Sequence, residues 1–223
     1  MEIPTKIIVL QNKLNKLKKL DRKKTVFGSS THQYRSKPIS SKKIQQFEDQ
    51  NNISIPEELR LFLTEIGTGA GPDYGIYNLS TILEEYENLN EWLDNISAPD
   101  KNFELTNEDA RELIQQKKDN HEGFFYKRLN TVNGLLPIQT QGCTYYSFIV
   151  LNGEQRGKIW YLDTNDFDVL PAGIVGELSF FEWYEQWLDE SLESLGQLDM
   201  NDQKEWEQPS VDKRNWLKKL FSW

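Results

Sequence analysis

The hydrophobic periodicity changes twice along this chain, and the change limits the folds open to it. As far as Ile114, the periodic segments carry apolar residues at helical steps. From Leu135 to Tyr161 they crowd into short β-branched and aromatic runs, and after Ser179 the helical step returns. Helices, then hairpin strands, then a helix do not supply the alternating units of a parallel sheet. The expected fold is α+β, a mainly antiparallel sheet flanked by helices.

Local signals place the elements. Leu59, Phe62, Leu63 and Ile66 share one helical face, Ser54-Ile55-Pro56-Glu57 fits a capping box before them, and Gly67 stands where a left-handed stop belongs. Ile44 and Phe47 mark a shorter helix upstream. Ile82, Tyr86, Leu89, Trp92 or Leu93, and Ile96 predict another, with Thr81 and Glu84 as its box. Thr106 and Asp109 open a further one, striped by Ala110, Leu113 and Ile114. Leu135–Ile138 is a short apolar run. Tyr145–Leu151 and Lys158–Tyr161 predict a hairpin whose loop is longer than two residues. Ser179-Phe180-Phe181-Glu182 is a second capping box, and its helix buries Phe180, Tyr184, Trp187, Leu188, Ser191 and Leu195. Ser210 or Asp212 caps a short terminal helix with Trp216, Leu217, Leu220 and Phe221 on one side.

Ahead of all these, Ile3, Ile7, Leu10, Leu14 and Leu17 form the seam of an amphipathic helix whose other face carries Lys13, Lys16, Lys18 and Lys19. A membrane-surface helix is one reading. The lack of a large aromatic on the apolar face favours docking on an acidic domain or on a second copy. Residues 21–41 lack periodicity and read as a linker. The expected organisation is a basic helix and linker over 1–40, a compact domain over 41–195, and a tail with a short helix over 196–223.

Charge sharpens this division. The chain carries a net charge of −9, yet residues 1–43 hold 12 basic against 2 acidic groups, and the remainder holds 14 against 33. So acidic a body repels phosphate, which argues against DNA or RNA as its ligand and suits a basic partner. The single cysteine, Cys143, excludes an internal disulfide and fits a reducing compartment. No apolar run reaches a membrane-spanning length and no signal-peptide core follows the start. A cytoplasmic protein without a membrane span is expected.

Catalytic chemistry finds little purchase. Gly67, Gly69, Gly71 and Gly75 follow a helix instead of opening one, no Gly-Lys-Ser/Thr ending is present, and Pro72 removes an amide donor. A chain turn explains them better than a phosphate loop. Cys143 and His121 are not brought together by any pattern, and Cys143 beside an apolar strand reads as a small buried residue. Asp163, Asp166 and Asp168 lie within six residues, but their spacing fails the calcium-loop rule, so a polar turn is expected. No catalytic residue, metal or cofactor is assigned.

Two segments taken together resemble a known family. Ile55-Pro56-Glu57-Glu58-Leu59-Arg60-Leu61-Phe62-Leu63 leads into the glycine turn and Ile76-Tyr77-Asn78-Leu79. Leu136-Pro137-Ile138, Gly142-Cys143-Thr144-Tyr145-Tyr146-Ser147-Phe148-Ile149-Val150-Leu151-Asn152-Gly153 and Gly157-Lys158-Ile159-Trp160-Tyr161 follow, then the Phe180–Tyr184 helix. This order is similar to the SUKH superfamily, in the branch shared with the fungal Smi–Knr glucan-synthesis regulators. It covers about residues 41–195. Thr144 and Asn51-Asn52 depart from positions where the family often has glycine.

The resemblance implies an α+β fold without conventional catalysis and, for bacterial members, an immunity protein that binds and neutralises a toxin domain, often a nuclease. Given the acidic body, the toxin domain is expected to be basic. The alternative it implies is a regulatory scaffold like the fungal relatives. The partner face is expected on the loop carrying Asp73, Tyr74 and Tyr77 and around Trp160 and the turn with Asp163, Asp166 and Asp168.

Overall fold

A computed structural model of the 223-residue chain describes residues 3–92, 98–106, 108–109, 133–163, 168–171 and 178–201. Six helices and two antiparallel sheets occur among them. The fold is mixed α+β, as the change of period requires.

Helix α1 (Ile3–Leu20) buries Ile7, Leu10, Leu14 and Leu17 in the same apolar core as the rest of the chain. It packs on α6 (Phe180–Asn201), whose Glu185 takes Lys6 and Lys13 and whose Asp189 takes Lys13 at 2.7 Å. Docking on the acidic part of its own chain therefore occupies the apolar stripe that a membrane-surface helix would need. No described helix is long and apolar enough to cross a membrane.

The segment after α1, linker-like in composition, is pinned by one buried carboxylate. Asp21 accepts hydrogen bonds from the Thr25 amide (2.6 Å), the Thr25 hydroxyl (3.0 Å), the Val26 amide (3.2 Å) and the Tyr34 hydroxyl (2.7 Å). Burial works against the Asp21 anion, but these donors outweigh it and hold its pKa below the ordinary value. Short helix α2 (Ser29–His32) and strand β1 (Ser36–Lys37) follow.

Helices α3 (Ser41–Asn51) and α4 (Glu57–Glu65) bury Ile44, Phe47, Leu59, Phe62 and Leu63, as their spacing predicts. Gly67, at φ 102°, ends α4 with its amide on the Phe62 carbonyl at 2.8 Å. The Ser54 capping box does not form. The helix starts at Glu57 behind Pro56, and the Arg156 guanidinium takes the Ser54 carbonyl and hydroxyl oxygens. Likewise α5 (Leu79–Trp92) starts ahead of Thr81, because the Asn78 side chain accepts the Ser80 and Thr81 amides at 3.0 Å.

The main sheet is antiparallel, in the order β3 (Leu135–Gly142), β4 (Tyr145–Val150), β5 (Ile159–Asp163), β6 (Asp168–Pro171). Pro137 sits on the edge strand β3, where a missing amide is tolerated. The sequence does not signal strand β6, because four residues opening on an aspartate carry too weak an alternation. Strand β2 (Thr68–Gly69) pairs with β1 to form the second sheet, so the glycine stretch is partly strand.

At α6 the second capping box is realised, with the Ser179 amide on Glu182 Oε2 at 2.9 Å and the Glu182 amide on Ser179 Oγ at 3.4 Å. Ser179→Ala is expected to lower stability by about 1 kcal/mol, read from the urea midpoint at constant m value. An unchanged midpoint would mean that Glu182 alone sets the helix start. Phe180, Tyr184, Leu188 and Ser191 are buried as expected, while Trp187 and Leu195 are half-buried. The reciprocal Thr106–Asp109 pair also forms, at 2.8 and 3.2 Å. Its apolar stripe and the helix expected near 210–221 lie outside the described residues.

Candidate functional site

Among the expected partner residues whose burial is described, Tyr74 is the most exposed, and the loop beneath it is rigidly supported. Gly69 and Ile76 exchange both backbone hydrogen bonds at 2.9 Å, and the Gly75 amide closes on the Pro72 carbonyl at 2.8 Å. Between them Asp73 adopts φ 48°. The wholly buried Gln139 of β3 donates to the Pro72 carbonyl at 3.1 Å and to Asp73 Oδ2 at 2.7 Å. Its own oxygen accepts the Ser147 hydroxyl of β4 at 2.6 Å. The Tyr77 amide then joins the loop to the sheet edge through the Ile138 carbonyl at 2.9 Å.

Two other segments close on this loop. Gly28 approaches so tightly that a Cβ there would lie 1.4 Å from the Asp73 carbonyl oxygen. At the β3–β4 turn, a Cβ on Gly142 would come within 3.0 Å of the Tyr74 ring. These contacts leave Phe27 edge-on to Tyr74 at 5.6 Å, with 44% and 41% of the two residues exposed. Phe27 is the residue that sequence reasoning missed. It stands beside Val26 in an aperiodic stretch, so no helical or strand spacing marks it.

The other expected residues are placed less favourably. Tyr77 is half-buried, and burial, then Glu85 and Tyr146, raise its hydroxyl pKa, so it stays protonated. Trp160 is fully buried against Phe103 at 4.8 Å, and Asp163 is 2% exposed at the end of β5. Neither can touch a partner while the sheet is intact: Ile159 joins the main core, and Trp160, on the opposite face of β5, is covered by Phe103, while Asp163 is buried at the end of the strand. Asp168 opens β6, and Asp166 lies outside the described residues. The acidic residues expected as a contact turn are thus partly strand.

Chemically, the site offers an aromatic ridge on a fixed loop. Cys143, expected to be buried, is exposed at φ 51°, because the turn after Gly142 needs a left-handed residue whose side chain points outward. His121 lies outside the described residues. Among the described residues no cluster of histidine, cysteine, aspartate or glutamate could hold a metal ion.

Comparisons with known proteins agree with this geometry in one respect. The model of the SMI1 / KNR4 family (SUKH-1) matches residues 38–186, which include the glycine loop, the sheet and the start of α6. Neither the search of curated proteins nor that of solved structures gave a match.

Proposed function

The chain belongs to the SMI1/KNR4 (SUKH-1) family, and on that premise we propose that it is an immunity protein that neutralises a bacterial toxin domain by stoichiometric binding. Proteins of this family are typically toxin immunity proteins and generally non-catalytic. The match over residues 38–186 is the observation that carries the reading. The acidic charge outside residues 1–43 favours a basic toxin domain, a nuclease among them, because opposite fields speed encounter.

The proposed contact centres on Tyr74, with Phe27 beside it and Asp73 and Tyr77 at its margin. Exposed aromatics on a preorganised loop lose little conformational entropy on binding. The test is co-expression with candidate toxin domains, with cell survival as the readout. Failure to protect against any domain that the purified chain binds would overturn neutralisation. Once a partner is in hand, Tyr74→Ala is expected to weaken its binding about tenfold or more while leaving thermal stability nearly unchanged. Unaltered affinity would move the interface elsewhere. Raising salt is expected to slow association and to leave dissociation almost constant.

A further inference from the structure

Among the described residues, a strongly charged surface is left without a counterpart. Of the lysines on α1, Lys6 and Lys13 are taken by Glu185 and Asp189 of α6. Lys16, Lys18, Lys19, Arg22 and Lys23 are exposed, and their side chains make no hydrogen bond or ion pair among the described residues. Asp21 is the one acidic residue between Ile3 and Lys43, and it is 1% exposed, its oxygens held by Thr25, Val26 and Tyr34. The acid that could have balanced this cluster has been drawn into the core.

Aliphatic side chains stand among these cations. Leu20 is 51% exposed amid the five, and Ile8 is 57% exposed on the outward face of the same helix. Ile8, Asn12, Asn15 and Lys19 follow at steps of four, three and four, so they form one exposed row. From Ile8 to Lys19 that row runs about 17 Å, and α1 itself contributes no acidic residue to it.

We propose that this end of α1, with Lys16, Lys18, Lys19, Arg22 and Lys23 around Leu20, docks on an anionic lipid surface. A group of four to eight cations beside exposed aliphatic side chains suits acidic headgroups over an apolar layer. The excess of acids after residue 43 gives the chain a charge dipole. A flat surface meets the positive pole alone, whereas a long polyanion that wraps the protein would meet repulsion from the acidic body. Exposed aromatics on which bases could stack are absent from the row Ile8–Lys23. The inference does not depend on toxin binding, since Tyr74 plays no part in it.

The experiment is cosedimentation of the full chain with phosphatidylcholine vesicles, with and without phosphatidylserine, at low and high salt. Binding is expected only with phosphatidylserine and is expected to fall as salt rises. The triple variant Lys16→Glu, Lys19→Glu, Lys23→Glu is expected to bind at least roughly a hundredfold more weakly, with unchanged thermal unfolding. Leu20→Ser is expected to weaken vesicle binding without affecting salt dependence. No binding to phosphatidylserine vesicles, or equal binding by the triple variant, would overturn the proposal. So would tighter binding to a single-stranded RNA homopolymer that Leu20→Ser leaves intact, which would make the face a polyanion site.

Discussion

Replacing Leu10 and Leu17 together with alanine is expected to leave the protein barely folded at room temperature. Both residues are 0% exposed, and they lie in one cluster with Phe62, Phe180 and Tyr184. Each truncation removes buried methyl groups and opens a cavity, at about 2–5 kcal/mol. Together they approach the roughly 5–15 kcal/mol that holds an ordinary domain. Circular dichroism melting should show Tm lower by at least about 10 °C, with the loss extending to the sheet. A fall of only a few degrees would show that α1 is a separable arm. The same reasoning makes removal of residues 1–40 a poor probe of function, since it would strip α6 of its cover.

Acid should destabilise the protein through His32, which is 7% exposed between Tyr34 and Trp187. Its Nδ1 accepts the Tyr34 amide at 3.0 Å, so a proton there would set two donors face to face. Nε2 is buried without a hydrogen-bond partner among the described residues. Burial, then the Lys24 charge, lower its pKa from 6.5 to about 4, and the Asp21 charge only partly opposes them. Between those values the unfolded chain binds a proton that the native state refuses, so stability falls as pH drops from 6.5 towards 4. The loss amounts to as much as about 3 kcal/mol. Asp21, whose native pKa lies below the ordinary value, adds a loss in the same direction at lower pH.

His32→Asn keeps an acceptor near Nδ1 and removes the titration. Urea unfolding at neutral pH and near pH 4 should therefore show a much smaller acid penalty in this variant than in the parent. An equal penalty in both would assign the effect to other groups.

Much of the fold was legible because its signals are local. The stop at Gly67, the Ser179–Glu182 box and the apolar faces of α4 and α6 each depend on residues within two turns of one another. Where the structure departs from the local signals, another group competes for the same backbone, distant in one case and adjacent in another. Arg156 took the oxygens of Ser54 across a hundred residues, and Asn78 outcompeted Thr81 for the start of α5. The candidate site was half legible. The glycines marked the loop that carries Tyr74, but nothing in their spacing revealed Phe27 beside it or Gln139 beneath it.

The sequence by itself determined the fold class, the separation of charge and the family, since these follow from period, composition and the order of motifs. Only the tertiary structure decided which of those residues meet water. It buried Trp160 and Asp163 against the sheet, turned Asp21 inward and left Lys16, Lys18, Lys19, Arg22 and Lys23 outward. Burial depends on which surfaces face each other after the chain returns on itself. The helix that begins at Phe180 decides the fate of lysines near the N-terminus, and no local pattern carries that pairing.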